Sequence, residues 1–210
     1  MERFLSRLER KMGRFYISGL MRIIVFGMAG VFLLDLFFSR SVTASQLLSF
    51  NRALILRGQV WRLFTFVFIP EGSSPIFIFF TLYFYYLIGT ALENRWGSRR
   101  FNLYYLIGII GADIGGMLTG YGTGYFLNLS LFLAFACLYP DFEILLFFVL
   151  PVKIKYIAYL DAAYLVYILI SLSWAGRGSM LLSFLPFFLF FGEELFFGAK
   201  RLAWRLKNRR

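Results

Sequence analysis

Histidine is absent from all 210 residues. With it goes the side chain whose ordinary pKa lies nearest neutrality, so the usual general base and the usual neutral metal ligand are both missing. Cysteine occurs once, at Cys137, which excludes a disulfide framework or a thiolate metal cluster within one chain. That thiol lies in an apolar run and reads as packing; no metal site and no cofactor is expected. Acidic residues number 11 against 22 basic ones, a net charge of +11. The amino terminus lacks a short apolar stretch followed by a small-residue cleavage site, so no cleaved leader is expected.

What the chain has in excess is apolar surface: 60% of its residues are hydrophobic and 21% aromatic. A water-soluble domain cannot cover that much of its own surface, and the composition is that of a membrane protein. A helical span takes about 20 mostly apolar residues, so this length has room for about six in one bundle. The basic residues sit beside the apolar runs, where they act as orientation signals and contacts for anionic lipids. Nucleic-acid binding is not expected from them.

Along the chain, residues 1–18 form a basic segment in which Arg3, Arg7, Leu8, Lys11 and Phe15 are spaced as on an amphipathic helix that lies on a membrane surface. Residues 19–198 hold the spans, and 199–210 form a basic tail. Span one covers Gly19 to Phe38, with Arg22 able to snorkel towards headgroups. The loop from Ser39 to Ser74 is too long to be structureless, and Gln46 to Leu56 is expected to be helical. Span two covers Ile76 to Leu92, and the charged turn Glu93 to Arg100 leads into span three, Phe101 to Thr119. Span four follows the glycine corner Gly120 to Gly124 and ends at Tyr139, before Pro140. Glu143 to Val152 is too short to cross and reads as a re-entrant or interfacial segment. Span five covers Ile154 to Leu172, and span six Met180 to Phe197.

With a cytoplasmic amino terminus, Arg3, Arg7, Arg10, Lys11, Arg14, Arg95, Arg99, Arg100, Lys153, Lys155 and all six Lys/Arg after Gly198 fall on the cytoplasmic side. Only Arg40, Arg52, Arg57, Arg62 and Arg177 fall opposite. The asymmetry favours six spans with both termini cytoplasmic, as in a bacterial inner membrane protein.

Span three carries Gly108, Gly111, Ala112, Gly115, Gly116 and Gly120, in several pairs four residues apart, a pattern that lets helix backbones approach closely in lipid. Its implication is packing: span three is gripped by its neighbours. Polar residues inside spans call for the opposite emphasis, because they face a cavity or a partner. Asp35 and Asp113 fall near span ends and reach water; Glu193 and Glu194 pair with Lys200 or Arg201; Asn128 and Asp161 remain inside the bundle.

Three strings, in order, resemble the rhomboid superfamily, derlins included. Gly58-Gln59-Val60-Trp61-Arg62-Leu63-Phe64-Thr65 is similar to the Trp-Arg motif after span one. Ile88-Gly89-Thr90-Ala91-Leu92-Glu93 with Trp96-Gly97-Ser98-Arg99-Arg100-Phe101 is similar to the span two–three junction. Ala134 to Pro140 with Ile144 to Lys153 is similar to the exit of span four. The resemblance implies an all-α bundle of six transmembrane helices with a structured loop between helices 1 and 2. In that loop Trp61 and Arg62, with Glu93, fix the chain against the bundle.

Active rhomboids use a serine nucleophile opening span four and a histidine base in span six. Carried over by position, the nucleophile falls on Tyr125 or Thr123, and the oxyanion partners of span two fall on Phe77 and Thr81. Phe187 to Phe191 stand where small residues flank the base, which argues against close packing of spans four and six. Without nucleophile, base and oxyanion donors there is no route to an acyl-enzyme by this mechanism. The expectation is therefore a catalytically inactive, derlin-like rhomboid fold that binds transmembrane segments of other membrane proteins in a groove at Tyr125, Asn128 and Asp161. Two rivals stay open. One is a small transporter or channel subunit using Asp113, Asn128 and Asp161; the other is a hydrolase with Asp113 and Asp161 as paired carboxylates.

Overall fold

The computed structural model describes residues 2–13, 16–38, 43–72, 74–120, 122–146 and 150–192. Glu193, Glu194 and the basic tail with Lys200, Arg201 and Trp204 lie outside the described residues. Among the described residues the regular elements are helices and one hairpin. Helix α1 (Glu2–Met12) precedes α2 (Leu20–Phe38), and the loop holds short helices α3 (Ala44–Leu48), α4 (Arg52–Leu56) and α5 (Arg62–Thr65). Then come α6 (Pro75–Trp96), α7 (Ser98–Thr119), α8 (Tyr125–Leu138), strands β1 (Glu143–Leu146) and β2 (Leu150–Lys153), α9 (Ile154–Ser171) and α10 (Trp174–Ser183). Four of these helices, α2, α6, α7 and α9, are long and apolar enough to cross a membrane. Helix α10 and its continuation 185–192, bent by 52°, make a fifth if counted as one span. Helix α8 is apolar but has only 14 residues, about 21 Å at 1.5 Å per residue, short of a hydrocarbon layer about 30 Å thick.

Helix α7 is the axis of the bundle, because its glycines admit a neighbour on several sides. Leu127 of α8 lies against Gly108, Leu182 and Ser179 of α10 against Gly111 and Gly115, and Phe50 of the loop against Gly116. The α10 contact with α7 is the most extensive in the bundle. It uses a freed backbone group: Pro186 has no N–H, so the Leu182 carbonyl four residues earlier loses its helical donor and is turned to the bare Cα of Gly111. Helix α8 touches α10 much less, through Phe126 and Phe184 with ring centroids 6.4 Å apart. The bulky Phe187 and Phe191 are buried and stacked on each other at 5.4 Å.

Three expectations are corrected. The helix expected from Gln46 to Leu56 breaks at residues 49–51, where buried Phe50 plugs into the bundle and Asn51 caps α4 by accepting from the Leu54 N–H. The short stretch Glu143 to Val152, by contrast, takes the form of an antiparallel hairpin with Glu143 opposite Lys153, which is compatible with a re-entrant or interfacial segment. Span six begins at Trp174 instead of Met180, because Arg177 spends its charge on the end of α9: Nε donates to the Leu172 carbonyl at 3.0 Å and Nη2 to Ile170 at 2.8 Å. Cys137 faces outward and is not a core residue.

Helix α1 docks on the start of α7. Leu5 is buried, and Glu9 pairs with Arg100 at 2.8 Å. The α6–α7 reversal takes place at Gly97, whose φ of +81° disfavours any side chain.

Candidate functional site

The loop between α2 and α6 is tied at two points. Asp35, near the end of α2, accepts from the backbone N–H of Ala44 and Ser45 and from the Ser45 hydroxyl, so it is a cap for α3 and not a water-facing acid. Arg62 is 3% exposed and gives Nε to Gln59 at 2.8 Å and Nη1 to the carbonyls of Gln46 at 2.9 Å and Ser49 at 2.6 Å. Its guanidinium thus holds α3 and the break after it, while Trp61 beside it is half-exposed. Glu93 works elsewhere: Oε1 accepts from the Gly19 N–H and from the Ser98 hydroxyl, both at 2.6 Å, joining the starts of α2 and α7. Asn102, which the sequence did not single out, clasps both backbone groups of Ile17 at 2.8 and 2.9 Å.

The glycine corner delivers α8 into the bundle beside a polar group of residues. Thr123 is exposed, and its hydroxyl accepts from the Tyr125 N–H at 3.4 Å, a helix-start contact. Tyr125 lies within electrostatic reach of Tyr164 and Asp161 on α9 and of Glu71 in the loop. Asn128, one turn along α8, is buried and lies within reach of the Tyr85 hydroxyl of α6. The structure therefore brings Tyr125, Asn128 and Asp161 into one neighbourhood. Phe77 is not part of it: the side chain is 66% exposed on the outer face of α6, and Thr81 is half-buried. Asp113 is on α7, half-buried, with Oδ1 enclosed and without a hydrogen-bond partner among the described residues.

Glu71 is the residue that sequence reasoning missed. It lies between Pro70 and Gly72, where turn formers make a lone acid read as solvated; no local signal marks it. Its carboxyl acts on the hydroxyls of Tyr85, Tyr105 and Tyr125, and Oε1 is enclosed without a hydrogen-bond partner among the described residues. Burial pushes its pKa from 4.5 up to about 7.

A carboxyl raised in this way holds in the folded state a proton that the unfolded chain gives up, so stability falls as pH rises from 4.5 to about 7. At 1.36 kcal/mol per pKa unit the full penalty is about 3 kcal/mol. Glu71→Gln is expected to unfold like the parent at pH 4 and to be more stable by up to that amount at pH 8, read by thermal unfolding in detergent. A parent and variant that differ equally at both pH values would contradict the assignment.

Chemically, these groups offer carboxylate, amide and phenol oxygens as hydrogen-bond acceptors, and the amide and phenols can donate as well. Tyr125 presents a phenol and Thr123 a hydroxyl engaged by backbone, and the chain contains no histidine. A Rhomboid domain family model matches residues 57–181, the stretch from the end of α4 to α10. Neither curated proteins nor solved structures give a match. Because the matched stretch is more than half of the chain and contains Arg62 of the anchored loop, the α6–α7 junction and the start of α8, this protein belongs to the rhomboid family of intramembrane serine proteases.

Proposed function

We propose that this is a rhomboid pseudoprotease that binds transmembrane segments of other membrane proteins, in quality control, trafficking or assembly, and hydrolyses none of them. The observation that carries the reading is the state of the site: Tyr125 or Thr123 where the nucleophile falls, Phe77 turned outward from the oxyanion position, and no histidine in 210 residues to serve as base. A rhomboid serine lacking its base already has no acceptor for its proton; here the serine is replaced as well.

The binding half of the reading is supported by the flanks of α8. Helices α6 and α9 bury 22% and 11% of their apolar windows, against 56% for α7, and α6 shows Ile76, Phe77 and Phe79 on its outer face. These loosely embedded helices frame the polar neighbourhood of Tyr125, so a helix arriving from the side meets apolar surface first and polar groups behind it. The passes are proposed to number six, counting short α8 and the bent α10, with residues 1–18 and 199–210 on the cytoplasmic face of a bacterial inner membrane in contact with anionic lipids.

Photoreactive residues placed at Tyr125, at Asn128 and on the inner face of α6 are expected to capture membrane proteins in intact membranes. The same residue at outward-facing Phe37 is expected to capture mainly lipid. Recovery of lipid alone at every position would overturn the binding role.

A further inference from the structure

Among the described residues, the groups that act on Tyr85, Tyr105 and Tyr125 are acids, phenols and an amide. Asn128 and Tyr105 are 3% and 1% exposed, yet Asn128 Oδ1, the Tyr105 hydroxyl and Glu71 Oε1 have no hydrogen-bond partner among the described residues. These atoms come from α8, α7 and the loop before α6. All three act on the Tyr85 hydroxyl of α6, which places them around one phenol. A further acid, Asp161, acts with Tyr164 on Tyr125 from α9. The described ion pairs, Glu9–Arg100 and Asp141 with Lys153 and Lys155, lie elsewhere.

Enclosed acceptors without donors are costly to maintain, and a buried carboxylate without a counter-charge more so. An incoming group that repays this cost is a cation with several N–H donors. A lysine ammonium has three, matching carboxylate, amide and phenol oxygens, and an arginine has five. A basic residue in the middle of a transmembrane helix is itself unfavourable in lipid until it meets an anionic partner. Resting on the reading that a partner helix lodges beside α8, we propose that Glu71, Asn128 and Tyr105 form a receptor for a lysine or arginine side chain carried within that helix, so that partners are selected by an intramembrane positive charge.

The test uses the full chain in vesicles of neutral lipid, which removes competition from anionic headgroups. The probes are synthetic leucine–alanine helices of about 20 residues with one central lysine, glutamine or leucine, and binding is read by fluorescence transfer. The lysine helix is expected to bind about tenfold more tightly than the leucine helix, the scale of one charge-assisted hydrogen bond. Glu71→Gln is expected to erase that preference, and Asn128→Leu to weaken it, while Asp161→Asn preserves most of it. Because Glu71 takes its proton back as pH falls below about 7, acidification should imitate Glu71→Gln. Equal binding of the three helices overturns the charge receptor and leaves partner binding standing. A lysine preference that survives Glu71→Gln but is lost in Asp161→Asn overturns the assignment to Glu71. No binding of any helix overturns the reading beneath both.

Discussion

Gly111→Ala is expected to disrupt the bundle, although it adds a single methyl group. A Cβ at this position would run into the backbone carbonyl of Leu182, with Ser183 N next in line at 3.3 Å. Backbone cannot rotate away as a side chain tip does, so α10 must separate from α7, and the buried Met180 and Ser183 open with it. Overpacking of an ordinary core costs about 1–3 kcal/mol. Here the displaced element carries the most extensive helix contact in the protein, and a loss above about 4 kcal/mol is expected, in the range reserved for broken interfaces. Gly30→Ala is the matched control. It is also helical, nothing lies within 4 Å of its added Cβ, and replacing a helix glycine by alanine contributes about 1 kcal/mol of stability. Thermal unfolding in one detergent separates the two; similar midpoints would contradict the α7–α10 contact.

The second large effect is expected at Arg62. Alanine there leaves the carbonyls of Gln46 and Ser49 and the Gln59 amide oxygen without their donor. Hydrogen bonds to a charged group contribute about 1.5–3 kcal/mol each, and part of that is regained from water at the loop surface. A net loss of about 3 kcal/mol is expected, or about 6–12 °C in the unfolding midpoint for a chain of this size. Arg62→Lys keeps the charge but not the planar fork, and is expected to fall between parent and alanine. The loop should also become the first site of limited proteolysis, since the break at Ser49 is held by this side chain. An unchanged midpoint would mean that Arg62 is only an interface anchor.

Burial of apolar surface in lipid was written plainly in the sequence, and α2, α6, α7 and α9 lie within about four residues of the apolar runs that mark them. The glycine spacing of α7 correctly implied close neighbours, because a missing Cβ is a local property with one packing consequence. Pairings that depend on distant partners were not legible. Arg177 looks too polar to sit inside a helix of span six until the carbonyls at the end of α9 are known to need donors. Phe50 looks like one more residue of a helix until the gap beside Gly116 and Gly122 is seen to need a ring. Glu93 and Arg62 belong to one resemblance but act at different places, because a motif gives residue types and not the groups they meet.

The site shows the same division. Tyr125 and Asn128 on α8 and Asp161 on α9 could be gathered from their depth along two separate stretches, and the fold brings Asp161 within electrostatic reach of the Tyr125 phenol. Glu71 had no such signal. Its burial is a tertiary consequence of the loop folding back on the bundle, a loop that Arg62 and Asp35 tie down through contacts elsewhere.

The central claim is a rhomboid scaffold that holds a membrane helix and leaves it whole. It is tested most directly by intact mass measurement of a membrane-protein segment captured at Tyr125, followed over hours in vesicles. The account predicts a single species at the uncleaved mass for as long as the complex lasts. Fragments that accumulate with time in the parent, and cease when one of Glu71, Asp113 or Asp161 is changed to its amide, would contradict it.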